Sequence, residues 1–286
     1  MTTTQVPPRY SFLQVLVTLI VGPFVIGILG SLVVSAVVAI LLVVADGGSF
    51  EVASITAAAN SFPVIATSLF VTALGFIGGP VALALATKRS PAEALGLRPR
   101  PHLATFFLAP VGTLALGPTS DRIVELAQRF IPTWTFGALD QIEAIAQRYP
   151  IWLLVPFLAF CPGFGEEIVF RGFIQRWVGK GATAIVVSGL SFAAIHVDPH
   201  HVLGVVPLGL YLAWVADRTD STWPTIAAHV VNNAVAVIAV KFTDTDGPVE
   251  HASNAMLVGG IAVSIATMVA IDQVVRAARL RRSTGG

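Results

Sequence analysis

Eight long stretches of this chain carry no Asp, Glu, Lys or Arg: residues 10–45, 52–87, 101–120, 149–165, 181–197, 199–216, 221–240 and 251–271. A helix crossing a hydrocarbon core of about 30 Å needs roughly 20 apolar residues, with a range of about 17–25, so each stretch is long enough for one. Backbone exposed to lipid must satisfy its own hydrogen bonds, which leaves only helices and closed barrels. Barrel strands alternate polar and apolar residues, and the run from Val33 to Val44 does not alternate. The pattern predicts an all-α polytopic membrane protein with about eight transmembrane helices, folded as a single integral membrane domain over residues 1–286. A mean hydropathy of +0.80 agrees with that class.

The first stretch is too long for the apolar core of a secretory signal peptide, so it is expected to remain as a helix, kinked near Gly22-Pro23. The net charge of +1 gives no electrostatic footprint for nucleic acid. A lone cysteine, Cys161, excludes an intrachain disulfide and reads as a small core residue. Between the spans, Thr119–Phe130 has the pattern of an amphipathic interfacial helix, and Leu139–Gln147 that of a second short helix. The tail beyond Arg282 is expected to be disordered.

With the amino terminus in the cytoplasm and eight alternating spans, Arg9, Lys88, Arg89, Arg98, Arg100, Arg176, Lys180, Arg218, Arg276, Arg279, Arg281 and Arg282 fall on the cytoplasmic side. Only Arg122, Arg129, Arg148 and Lys241 fall on the other. The positive-inside rule therefore predicts a multi-pass protein of the cell membrane with both termini cytoplasmic.

Ionisable side chains inside a membrane span usually face a cavity or a partner. Here they are few: Glu166, Glu167 and Arg171 in the fourth span, His196 in the fifth, and His229 with Asn232 and Asn233 in the seventh. Helical spacing sorts them. Glu167 and Arg171 are four apart and can form an ion pair, while Glu166 lies about 100° around the helix and is left to point elsewhere. Phe192 and His196 are four apart, as are His229 and Asn233. A carboxylate and a neutral histidine can together deprotonate water. A second histidine and an amide can donate hydrogen bonds to a tetrahedral oxyanion. Hydrolysis of an amide bond uses all of these roles. The set Glu166, His196 and His229 could instead hold a zinc ion that activates the water. No H-E-x-x-H sequence is present.

These residues resemble the CAAX protease and bacteriocin-processing family, also called the Abi family of intramembrane endopeptidases. Its three motifs are E-E-x-x-x-R, F-x-x-x-H and H-x-x-x-N. Here they read Glu166-Glu167-Ile168-Val169-Phe170-Arg171, Phe192-Ala193-Ala194-Ile195-His196 and His229-Val230-Val231-Asn232-Asn233. The Arg171-Gly172 pair and the turn Leu95-Gly96-Leu97-Arg98 are also similar to the family, and the motif-bearing core covers about residues 150–240.

The resemblance implies a membrane-embedded protease acting on a membrane-associated protein or peptide, with its site in the core of the helix bundle. Glu166 would activate water with His196, Glu167 would be held by Arg171, and His229 with Asn233 would bind the oxyanion, with Phe192 in support. The metal-free glutamate–histidine version is preferred, with no cofactor, and a zinc on Glu166, His196 and His229 is the alternative. Two other functions fit the same residues: a proton-coupled transporter using Glu166, Glu167 and His196 as a relay, and a non-proteolytic scaffold or immunity protein. The absence of inverted repeats disfavours the transporter. His102, His200, His201 and His251, at the edges of the spans, read as interfacial.

Overall fold

A computed structural model describes residues 10–48, 50–131, 144–242 and 252–284. Helices α1 (Phe12–Ala45), α2 (Val52–Ala59), α3 (Phe62–Ala86) and α4 (Pro91–Ala94) are followed by α5 (Thr105–Leu114) and α6 (Gly117–Gln128). Then come α7 (Ile151–Val178), α8 (Ala182–Ala194), α9 (Pro199–Thr219), α10 (Trp223–Phe242) and α11 (Asn254–Thr284). No strand occurs among the described residues. The chain is an all-α polytopic membrane protein.

Six helices, α1, α3, α7, α9, α10 and α11, are long and apolar enough to cross a membrane. Of the eight charge-free stretches, six hold one of these helices and two hold only a short helix. At 1.5 Å per residue, α5 is about 15 Å long and α8 about 20 Å, both short of the ~30 Å hydrocarbon core. Each stops for a local reason. Leu116-Gly117-Pro118 turns the chain from α5 into the amphipathic α6, which lies where the sequence placed an interfacial helix. After α8, Val197 adopts a left-handed φ of 62° and Asp198 restarts the helix. The Asp198 carboxylate accepts from the backbone N–H of His200 at 2.8 Å and of His201 at 3.3 Å, with Pro199 in the first turn.

The expected distortion at Pro23 is present: α1 widens into π-type turns over Ile20–Leu29, around a proline that cannot donate to the ladder. This segment crosses α3 at very close range. A Cβ on Gly22 would stand 2.7 Å from the Cα of Gly79, a distance only glycine avoids. Elsewhere α1 presents Phe12, Leu13, Leu32 and Leu41 outward, as a lipid-facing helix should. Of the other sequence expectations, the Leu139–Gln147 pattern is helical from residue 144, its first part lying outside the described residues, as do Arg9 and His251. Instead of fraying after Arg282, α11 continues to Thr284.

The core is centred on α7, α9 and α10, with Ile168, Phe170, Phe173, Leu212 and Val215 buried between them. Ion pairs fix the ends of these helices against their neighbours. Arg176 at the end of α7 and Lys180 both meet Asp220 after α9, at 3.2 and 3.1 Å. Arg218 pairs with Asp272 of α11, which also holds Arg276 at 2.7 Å. These basic residues, dispersed in sequence, therefore share one end of the bundle. Near the other end, Lys241 donates to the carbonyls of Ala146 and Tyr149, at 2.9 Å each.

Candidate active site

The two glutamates sit where α7 changes pitch, immediately before π-type turns over Ile168–Gln175. Such turns cluster at functional sites, since they re-aim side chains without breaking the helix. Despite the wider turn, the predicted pair forms: Arg171 Nη1 donates to Glu167 Oε1 at 2.7 Å, and both side chains are wholly buried. Burying an ion pair is tolerable only with good geometry and further hydrogen bonds. Arg171 has them. Its Nη2 donates to the carbonyl of Gly209 on α9 at 2.8 Å, and its guanidinium lies over the Phe192 ring, 4.5 Å from the centroid. Glycine is needed at 209 for this approach, because a Cβ there would stand 2.7 Å from the carbonyl oxygen of Gly189 on α8.

The second helix of the site contributes His229, six residues into α10. Its Nδ1 is 2.9 Å from Glu167 Oε1. A carboxylate only accepts, so Nδ1 carries the proton and Nε2 presents a lone pair in the neutral ring. That Nε2 lies 3.9 Å from Glu166 Oε2. Glu166 makes no hydrogen bond among the described residues, and its buried Oε2 has no partner. The two carboxylates are thus distinguished by environment: Glu167 is committed to Arg171 and His229, and Glu166 is not.

Phe192 is the hub joining the third helix. Its ring is fully buried, packs edge-on against Phe170 at 5.7 Å, and meets both His196 at 5.1 Å and His229 at 5.4 Å. His196 follows the last turn of α8 and directs Nδ1 to the carbonyls of Phe192 at 3.0 Å and Ala193 at 3.3 Å. Those oxygens fix the proton on Nδ1 and leave Nε2 as its free nitrogen.

Not every expected partnership forms. No hydrogen bond or ion pair joins Glu166 to His196; the histidine beside Glu166 is His229. No hydrogen bond joins His229 to Asn233 either. Asn233 Oδ1 instead accepts from the amide of Asn232 at 3.4 Å, leaving the Asn233 NH₂ as a donor. Glu166, Glu167, Arg171, Phe192 and His229 form one connected cluster, with His196 joined through Phe192. His201 was read from sequence as interfacial, yet its ring centroid lies 4.4 Å from that of His196. Five residues apart across a helix break, the two have no periodic signal that would reveal this contact. The Leu95-Gly96 turn and Gly172 touch one another: a Cβ on Gly172 would stand 3.0 Å from the Leu95 carbonyl.

Residues 148–235 match the family model described as type II CAAX prenyl endopeptidase Rce1-like. The family resemblance is to Rce1-like endopeptidases. All residues of the cluster lie in the Rce1-like segment, which is less than half of the chain. The chain is also similar to two proteins of Lactococcus lactis subsp. lactis (strain IL1403). It is 28% identical to UPF0177 protein YaiH over 106 residues, 36% of this chain and 45% of that protein. It is 24% identical to UPF0177 protein YxdF over 108 residues, 37% of this chain and 57% of that one. The matches span about half the length of these relatives. No solved structure matches the chain.

The alternative zinc set can be tested on the donors. No three His, Cys, Asp or Glu side chains are grouped to hold a metal among the described residues. His229, with Nδ1 on Glu167, does present Nε2 beside Glu166, but no hydrogen bond or ion pair joins His196 to Glu166. As placed, Glu166 and His229 are neighbours, and His196 is not grouped with them as a third zinc ligand among the described residues.

Proposed function

We propose that the protein is an intramembrane endopeptidase that hydrolyses a peptide bond of a membrane-associated protein or peptide by a metal-free glutamate–histidine mechanism. The observation that carries this reading is the placement of two acceptors, Glu166 Oε2 and His229 Nε2, 3.9 Å apart. Polar atoms separated by more than about 3.5 Å are commonly bridged by water, and a water has two protons to give them.

In this mechanism the water oxygen attacks the carbonyl carbon while Glu166 takes a proton, with His229 orienting the water from the other side. Glu167 holds His229 in the required tautomer, and Arg171 holds Glu167. This differs from the roles implied by the resemblance, because His229 is beside Glu166 and His196 is not. The Asn233 NH₂ is the donor available to the developing oxyanion. When the tetrahedral intermediate collapses, the C–N bond breaks and the proton held by Glu166 passes to the leaving amine. A carboxylate acting as general base contributes on the order of 10²–10⁴-fold.

The test compares membrane peptides from cells carrying the native protein with those from cells carrying Glu166→Ala or His229→Ala. Both variants are expected to accumulate in the membrane and to leave uncut a peptide that the native protein cleaves. Cleavage at the native rate by both variants would remove the mechanism.

A further inference from the structure

A cleft of about 630 Å³ opens at the basic end of the bundle, with Arg171 among its lining residues and neither glutamate. Lys88, Arg89, Arg176 and Lys180 are among its lining residues. The acids nearby are largely engaged. Glu93 pairs with Arg98, and Asp217 accepts from the Gly181 N–H at 2.9 Å, which leaves Asp220 between Arg176 and Lys180. The balance at the rim is positive.

The floor is polar and incompletely satisfied. Gln175 is 3% exposed and lines the cleft. Its Nε2 donates to the carbonyl of Ala213 at 2.7 Å. A carbonyl can only accept, so this bond fixes the amide orientation and leaves Oε1, which is buried and has no partner. The Tyr10 hydroxyl and Arg171 Nε, both on lining residues, are likewise buried without partners. Buried polar groups are otherwise almost always hydrogen-bonded. A ligand for this cleft should therefore bring an anion for the cations and a hydroxyl to donate to Gln175.

The surroundings are those of a membrane surface. Trp177 donates Nε1–H to the Tyr10 carbonyl at 3.0 Å, and its ring packs on Phe12 at 6.2 Å. Beyond Phe12, which is 67% exposed, the lipid face of α1 continues through Leu13 and Leu16. Acyl chains laid on that face would bring their headgroup to Tyr10 and Trp177.

We propose that this cleft binds the phosphodiester headgroup of an anionic, hydroxyl-bearing phospholipid such as phosphatidylglycerol. The Lys88, Arg89, Arg176 and Lys180 rim receives the phosphate, Gln175 Oε1 accepts from a headgroup hydroxyl, and the chains lie along the start of α1. The same phosphate chemistry could come from a soluble ion, and the test separates the two sources.

Purified full-length protein is mixed in detergent with equimolar phosphatidylglycerol and phosphatidylcholine, and retained lipid is counted by native mass spectrometry. Retention of phosphatidylglycerol over phosphatidylcholine by at least about tenfold is expected, since each cation near an anionic headgroup contributes about fivefold. The double variant Lys88→Asn/Lys180→Gln should lose about 30-fold in affinity. Asparagine is chosen at 88 because φ there is 55°. Arg129→Ala, a side chain 60% exposed just after α6 and outside the cleft, should retain the lipid as the native protein does. Millimolar inorganic phosphate should not displace it. Equal retention of the two lipids, native retention by the double variant, or an equal loss in Arg129→Ala would overturn the site. Displacement by inorganic phosphate alone would overturn the lipid as its source.

Discussion

Replacing Arg171 with leucine separates two accounts of the buried charge. If the guanidinium is what makes Glu167 tolerable in the core, its removal leaves a wholly buried carboxylate with His229 and the Thr225 hydroxyl as its remaining partners. Removing one partner of a buried ion pair costs about 3–5 kcal/mol. The unpaired Gly209 carbonyl would add about 1–3 kcal/mol and the lost contact with the Phe192 ring about 2 kcal/mol. All three arise from one side chain and do not add, so about 3–5 kcal/mol is the expected loss. At roughly 2–4 °C per kcal/mol for chains approaching this size, the midpoint for loss of monodisperse protein in detergent should fall by about 6–20 °C. The double variant Glu167→Gln/Arg171→Leu removes the stranded charge together with its partner and should recover about half of that loss. A single variant within about 2 °C of native, or a double variant no more stable than the single, would show that the pair does not carry the stability assigned to it.

The helix crossing gives a simpler case: Gly22→Leu pushes a side chain into the Gly79 backbone and should cost about 1–3 kcal/mol, read in the same melt. For catalysis, Glu166→Gln and His229→Gln should each reduce cleavage by about 10²–10⁴-fold. The two combined should do little more, because groups acting on one water behave as a unit; additive losses would separate them. Lys241→Met releases the Ala146 and Tyr149 carbonyls, and amide exchange over residues 144–149 should quicken, with about 1.5–3 kcal/mol lost per charged hydrogen bond.

Periodicity reads contacts within a helix, and this site is legible in the sequence to that extent. The Glu167–Arg171 pair and the Phe192–His196 ring contact both follow from four-residue spacing and both form, at 2.7 Å and 5.1 Å. His229 and Asn233 share the same spacing, and their side-chain hydrogen bonds go elsewhere, to Glu167 for the histidine and to Asn232 for the amide. Contacts between helices depend on rotation and depth, which spacing does not encode. Hence the position of His229 between the two glutamates, and that of His201 against His196, emerge only from the fold. Two of the eight charge-free stretches hold only short helices for a related reason. A stretch without charge permits a crossing but does not require a continuous helix, and Gly117-Pro118 and the left-handed Val197 end α5 and α8 early.

Adjacent carboxylates in a buried site would repel if both were charged and equivalent, and the structure makes them inequivalent. Arg171 is anchored independently of the glutamates, by the Gly209 carbonyl and the Phe192 face, so its charge stays near Glu167 whatever Glu166 does. His229 then gives its one Nδ1 proton to the same oxygen of Glu167, which turns its bare Nε2 toward Glu166. Arg171 Nη1 and His229 Nδ1 are thereby both spent on Glu167. In the proposed mechanism this leaves Glu166 to exchange a proton with the water beside it, as a general base must. The close Gly189–Gly209 approach belongs to the same device: it brings the α9 carbonyl to the guanidinium, and without it Arg171 would be free to turn to either carboxylate.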